Sequence, residues 1–302
     1  MSANTLPAGD VSAVIARLFV YPVKSCAGVE VQEALLTAAG LEFDRSWMVV
    51  DAQGEFVTQR ERPRLALVRP QLKTDELMLR APGMLALHIA LDAVERPSQV
   101  KVWNDLVPAY DMGDVAAQWF TDFLSLSEGG TPAPNRLLYR LVRFDPAHRR
   151  VSDLRWTNGV QALNQFSDGY PLLVVGEASL AHLNERLLAA GHHAVGMERF
   201  RPNVVLSGLQ AHDEDRLDLM HIDAGASQVL LKPVKPCPRC PIPNIDPVTA
   251  ARSPEVSDTL QAYRQDARVG GAVTFGMNAI VISGVGSVLR VGQALSAVID
   301  FG

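Results

Sequence analysis

Cysteine is scarce in this chain, with three among 302 residues. An odd and sparse count does not build a disulfide framework and points to a reducing compartment, so a cytoplasmic location is expected. Charge of one sign is not in excess either: 28 Lys and Arg face 33 Asp and Glu, for a net charge of −5. A nucleic-acid binder needs a basic face, and that class of partner is set aside. No apolar run approaches the roughly 18 residues of a membrane span. Met1 to Asp10 has neither a basic n-region nor an apolar core, so no signal peptide, anchor or membrane partner is expected. The dinucleotide fingerprint G-x-G-x-x-G and the P-loop are missing too. Gly270-Gly271, the one adjacent glycine pair of the second half, is too short to cradle a phosphate unaided.

What is present is ordinary globular material, 48% apolar and 20% charged, enough for two domains or one large one. From Val11 to about Val107 the chain reads as short strands with frequent punctuation. The candidates are Val14–Val23, Trp47–Val50, Phe56–Thr58, Leu65–Val68, Glu76–Leu79, Leu85–Ala90 and Val100–Trp103. Runs this short, bounded by Gly, Pro and Asp, predict an antiparallel barrel or sandwich. A helix follows, with Asp114 as N-cap and Val115, Trp119, Phe120 and Phe123 as one apolar stripe. Glu128 to Asn135 is the clearest linker by composition. Beyond it, strands are expected at Leu172–Val175, Val204–Leu206, Gln228–Leu231 and Ala279–Ser283. Helices are expected at Ser179–Ala190, stopped by Gly191, and at Pro254–Arg264.

Two of the three cysteines stand in Cys237-Pro238-Arg239-Cys240, at the end of an apparent strand. Pro236 and Pro238 stiffen that backbone and bias their predecessors toward extended conformations. Lys235 and Arg239 flank the thiols, and cationic neighbours favour the thiolate, the form that attacks or binds a soft metal. A zinc site lacks its second pair, since His212 and His221 do not carry the usual spacing. A thioredoxin-like pair needs a helix at its second cysteine, and Pro241, Pro243 and Pro247 oppose one. An inert buried pair is the bland reading. Otherwise one thiolate serves as a nucleophile or as the ligand of a soft metal held mostly by something else, and spacing leaves those two open. Cys26 reads as a buried strand-end residue.

Three other polar clusters precede or follow apolar strands: Tyr21 to Cys26, Glu42 to Trp47, and Phe200 to Asn203. Singly, each is an ordinary strand end or turn. Together, Lys24, Arg45, Arg201 and Arg239 suit an anionic ligand, because the arginine fork matches phosphate.

At these residues the chain resembles a known family. Tyr21-Pro-Val-Lys-Ser-Cys26, Asp44-Arg-Ser-Trp47, Phe200-Arg-Pro-Asn203 and Cys237-Pro-Arg-Cys-Pro-Ile-Pro-Asn-Ile-Asp-Pro247 appear in the order found in MOSC proteins. Within that family they are similar to bacterial relatives of the mitochondrial amidoxime-reducing component. The resemblance spans about Ala13 to Gly292. It implies a mainly β protein with some α. A disordered N-terminus at 1–11 would precede a MOSC N-terminal β-barrel domain at 12–130 and a β-barrel MOSC domain with flanking helices at 131–302. It also implies a molybdenum–pterin cofactor with Cys240 as catalytic residue and metal ligand. Arg239 would contact that cofactor, and Lys24, Ser25, Arg45, Arg201 and Asn203 would grip the pterin and its phosphate. Asp168 and Tyr170 stand where some relatives have hydroxyl residues; the carboxylate can accept a hydrogen bond, and the tyrosine offers ring or backbone contacts. Pro238 replaces a serine seen in some members.

The implied reaction is reduction of N-hydroxylated small molecules such as amidoximes and N-hydroxylated bases. No cysteine follows Cys240, so these residues hold no iron–sulfur ligand set. With no dinucleotide or flavin motif either, a separate electron donor is expected, a ferredoxin-like protein or a flavin reductase. The alternative is a non-redox sulfur-carrier or cofactor-binding module with a persulfide on Cys240.

Overall fold

The computed structural model describes residues 9–125, 137–225 and 228–300. The linker expected at Glu128–Asn135 lies outside the described residues, as do residues 1–8 of the segment expected to be disordered. The last residues of that segment are tied down: Asp10 N donates to Ala297 O at 2.9 Å.

Strand β1, Val11–Val20, is rich in β-branched and small apolar residues and buries Ala13, Ile15, Leu18 and Val20. After it come β2 (Trp47–Asp51), β3 (Arg69–Leu72), β4 (Glu76–Arg80), β5 (Leu87–Ala90), β6 (Arg96–Val102) and β7 (Asp105–Asp111). Helix α1 (Gly113–Leu124) and β8 (Tyr139–Phe144) complete the first half. β2, β8, β7 and β6 form a four-stranded antiparallel sheet, and β3, β4 and β5 a three-stranded one. Trp119, Phe120 and Phe123 of α1 pack with Trp47, Leu77 and Leu141 into one apolar core. Val115 does not join that stripe; it is 77% exposed. Nor does Asp114 cap the helix: Asp111 Oδ1 accepts the Gly113 N–H at 2.8 Å. The strand expected at Leu65–Val68 is instead a 3-10 turn over Pro63–Leu67, which Pro63 starts by supplying a helical φ and no donor. Of Phe56–Thr58, only Phe56 bridges, to Val50.

The second half contributes β9 (Leu172–Gly176), α2 (Glu177–Ala189), β10 (Val204–Ser207), β11 (Leu217–Asp223), β12 (Gln228–Pro238), α3 (Glu255–Gln261), β13 (Ala272–Ser283) and β14 (Ala294–Ile299). With β1 they close a seven-stranded barrel in the order β9, β10, β1, β14, β11, β12, β13 and back to β9. Only β9 and β10 run parallel. Closure leaves no open edge. It requires β13 to approach β9 closely, and Gly276 (φ +77°) permits this: a Cβ there would lie 2.6 Å from Val175 Cγ2 and 2.8 Å from Val174 O. Pairing crosses the boundary expected at residue 130 in both directions. β1 sits inside the barrel between β10 and β14, and β8 pairs with β2 and β7 of the first half.

β12 positions the cysteines. Its prolines at 233, 236 and 238 cannot donate to the ladder, and its register with β13 shifts between 233 and 235 and again between 236 and 238. Each shift re-aims the side chains beyond it. The chain stays extended past the strand, with Arg239 N donating to Val273 O at 2.8 Å.

Candidate active site

Where the halves meet, an open cleft is lined by Lys24, Ser25, Arg45, Asp168, Tyr170, Arg201, Asn203, Arg239 and Cys240. These are all nine site residues expected from the sequence. Thr58, Arg60, Ser167, Phe200, Cys237 and Asn278 line it too. Sequence reasoning missed Thr58 and Arg60 because a cation in a surface turn carries no periodic or motif signal.

Three of the lining residues adopt the left-handed backbone region without being glycine: Ser25 (φ +66°), Arg45 (φ +51°) and Arg201 (φ +59°). Such conformations cost on the order of 1–2 kcal/mol each and persist only where the surroundings over-determine them. The Ser25 carbonyl is held by Gln59 Nε2 at 2.7 Å, and for the two arginines Tyr21 is the common support. Its ring is fully buried, and the guanidinium carbons of Arg45 and Arg201 lie 4.4 and 4.3 Å from its centre. Gly28 packs directly against the same ring. Arg45 is further held by Asp44, by Asn203 Oδ1 at 3.1 Å and by the carbonyl of Arg201 at 3.1 Å. The Asn203 amide is committed to the protein, since Oδ1 also accepts from Leu173 N and Nδ2 donates to Phe19 O. It holds Arg45 and joins β1 to β9.

Lys24 is buried and donates to Phe166 O at 2.7 Å and to Asp168 Oδ1 at 2.5 Å. Burial lowers the lysine's pKa, and Asp168 offsets only part of that. For Asp168, desolvation acts upward, but Lys24 and the indole N–H of Trp103 (3.2 Å) hold the carboxyl well below the usual range. Arg201 donates to Cys26 O at 2.6 Å. Burial, with Arg45 close by, pushes its pKa down to about 10. Cys26 is fully buried, which pushes its thiol up to about 12. That is the environment of a packing residue.

Arg239 turns toward the other cysteine of its motif. Nη1 donates to Cys237 Sγ at 3.1 Å and Nη2 to Phe200 O at 3.0 Å. Both Cys237 and Cys240 are partly exposed and free. Three residues of extended chain span roughly 10 Å, beyond the roughly 7 Å that Cα atoms of a disulfide allow. Both thiols are unpaired, and Cys237 Sγ is the one that meets the Arg239 guanidinium.

Two buried donors in this wall have no protein partner among the described residues, Arg201 Nη2 and Arg239 Nε; Tyr170 Oη is a third orphan atom. Buried polar groups are rarely left so. Five cations and a single carboxylate line the cleft. Its chemistry suits a polyanionic ligand rich in acceptors. Among the described residues no group of three or more His, Cys, Asp or Glu is arranged to hold a metal ion. A metal here would need most of its ligands from a bound molecule. No helix among the described residues is long and apolar enough to cross a membrane.

Comparison with known proteins agrees with this architecture. Residues 12–127 match the family model of the MOSC N-terminal beta barrel domain, and residues 162–296 that of the MOSC domain. Mitochondrial amidoxime reducing component 2 of Rattus norvegicus is 35% identical over 261 residues, covering 83% of this chain and 72% of the relative. Mitochondrial amidoxime-reducing component 1 of Homo sapiens is 37% identical over 263 residues, with the same coverage. Molybdenum cofactor sulfurase of Bos taurus is 29% identical over 281 residues, 87% of this chain but 30% of that protein. Matching both domain models, and 35–37% identical to relatives that it covers over most of their length, the chain belongs to the MOSC family of two-part proteins that includes the mitochondrial amidoxime-reducing components.

Proposed function

We propose that this chain binds a molybdenum–pterin cofactor in the cleft and reduces N-hydroxylated small molecules with electrons from a separate donor protein. One observation carries the reading: a thiol at Cys240 shares the cleft with five cations, two of which keep buried N–H groups without a protein acceptor. A dithiolene-bound metal needs one soft protein ligand and no cage, and a pterin phosphate needs forked donors. Cys240 would be the metal's thiolate. Arg201, Arg239 and Lys24 would hold the anionic and polar edges, while Asn203 and Tyr21 keep Arg45 and Arg201 in place. Bound there, the cofactor supplies the two-electron chemistry that removes oxygen from an N–OH group. The protein's own part is to fix that group's orientation, admit the substrate from the open side, and present Lys24 and Asp168 as a hydrogen-bonded pair at the wall.

Metal and pterin analysis of freshly purified protein, followed by assay with reduced viologen and benzamidoxime or an N-hydroxylated base, tests the proposal. Turnover by molybdenum-replete protein is expected. Replete protein without turnover would overturn it, and metal-free protein carrying a persulfide on Cys240 would establish a sulfur carrier instead.

A further inference from the structure

Directly after Cys240 the chain forms a fixed surface loop over residues 241–253. Asp246 organises it. Its Oδ1 accepts the N–H groups of Val248 and Thr249 at 2.9 Å each, and its backbone exchanges bonds with Ala250 and Ala251. Arg199 ties the loop to the body of the protein, donating to Pro243 O at 3.1 Å and to Asp246 Oδ2 at 2.9 Å. Asn244 Oδ1 accepts the N–H of Ser257 on α3. So braced, the loop still holds Val248 out at 67% exposure. Between this loop and the first half of the chain lies a second groove, lined by Gly28, Ala66, Ile242, Ile245 and Val248 with Arg69. Ile242 lines the cleft as well, and two residues of chain, at most about 7 Å, separate it from Cys240.

The charge on this face is distinctive. Many exposed cations elsewhere are paired, as are Arg17 with Glu30, Lys101 with Glu55 and Arg290 with Glu33. The turn that brings Ala66 to the groove carries Arg62 and Arg64, which are held by the hydroxyl of Tyr139 and the carbonyl of Phe123. Arg252 Nη2 donates to the carbonyl of Arg60, and the exposed Arg69 opens β3. Among the described residues, none of these four arginines is in an ion pair. The neighbouring carboxylates are Asp246, paired with Arg199, Glu61, folded back on Thr58, and Glu198 at the groove. In a chain of net charge −5, this is a local excess of positive charge around a small apolar patch.

We propose that this groove and loop form the docking face for the electron donor, a small iron–sulfur protein whose cluster sits within an acidic face. This rests on the reductase reading above. Reduction of N–OH to N–H and water takes two electrons and two protons. A ferredoxin gives one electron at a time, so two encounters serve each turnover. Such encounters must be brief. Unpaired arginines around a small apolar centre suit that, because long-range attraction speeds association while the contact area stays modest. A loop already fixed loses little freedom on docking, and this one leads straight to the segment that bears Cys240.

The test uses molybdenum-replete protein with a reduced plant-type two-iron ferredoxin, and reduced methyl viologen as the small-molecule donor. Wild type should reduce benzamidoxime with either donor, and its KM for ferredoxin should rise with ionic strength. Arg69→Glu and Val248→Asp should each raise that KM about fivefold, and Arg69→Glu with Arg252→Glu about twentyfold. Viologen-supported turnover and molybdenum content should stay at the wild-type level. Ferredoxin with amidated surface carboxylates should behave toward wild type as native ferredoxin does toward the double variant. A ferredoxin KM unmoved by the double reversal, or indifferent to salt, overturns the proposal. So does a parallel fall in viologen-supported turnover, which would show that these arginines act through the cleft. Calorimetry with oxidised ferredoxin reads docking apart from the reaction. Ferredoxin that fails to bind wild type, or that binds without driving turnover when viologen does, also overturns it. If neither donor drives turnover while ferredoxin binds wild type and not the double variant, the reductase reading fails and the docking face stands.

Discussion

Gly28 offers a sharp test of how the cleft is held, because it lies behind the chemistry with the Tyr21 ring as its nearest neighbour. A Cβ added at this position would sit 2.5 Å from Tyr21 Cε1, 2.9 Å from Cδ1 and 3.0 Å from Cζ. Carbon atoms pack at about 3.5–4.0 Å, so the ring must retreat by about 1 Å. Tyr21 is wholly buried, with Arg45 and Arg201 stacked on it, and a close-packed interior has no free space to receive the displacement. Overpacking of this kind costs about 1–3 kcal/mol, a fall in Tm of roughly 2–5 °C for a chain of this size. The specific expectation is that cofactor content falls more than stability does, because the moved ring carries two of the cleft's arginines. Calorimetry together with molybdenum and pterin analysis of Gly28→Ala reads both. Repeating the change in a Tyr21→Leu background should shrink the thermal penalty, since the clashing ring is gone, but should not restore the cofactor. A Gly28→Ala protein with wild-type Tm and full cofactor would refute the claim that Tyr21 is the common support.

Cys240→Ser should lose molybdenum and at least about 100-fold in activity, whereas Cys237→Ser should keep appreciable activity, since Arg239 retains its bond to Phe200 O; equal losses would point to a dithiol mechanism. Arg201→Lys keeps the charge but not the fork and should lower pterin content partly, while Arg201→Glu should empty the site in a protein that still folds by circular dichroism; normal content in Arg201→Glu would displace the anion site from this residue. Burial, together with Arg264, His182 and Arg186, lowers the pKa of His212 to about 4, while the unfolded chain takes up this proton near 6.5. Stability should therefore fall as pH drops from about 6.5 to about 4, by on the order of 1–2 kcal/mol once partial solvent exposure is allowed for. Urea titrations across that window should show the slope flattened in His212→Asn, which tolerates the left-handed backbone of this position (φ +69°).

The site was more legible than the topology. Short stretches around Lys24, Arg45, Arg201 and Cys240 carried recognisable chemistry, and those side chains do meet in one cleft. Their meeting was not readable from spacing, because it depends on β1 lying between β10 and β14. Period-2 alternation shows that a strand exists and says nothing of its neighbour. Leu65–Val68 misled for a related reason: an apolar run of four suits a strand or a turn, and Pro63, two residues upstream, decided. Arg60 and Trp103 left no trace in the sequence. What distinguishes them is the stack they make across about forty residues of chain.

The position of β1 also governs how the molecule comes to exist. Val11 pairs with Ala297 and Leu18 with Val204, so during synthesis β1 waits for partners that lie far along the chain. At the usual pace of synthesis that wait is on the order of tens of seconds, during which an apolar strand has an unpaired edge. The barrel has few local contacts through which to start, and long-range pairing of this kind is slow. Lys24 and Ser25 lie just past the end of β1, so their placement in the cleft waits on the pairing of β1 with β10 and β14.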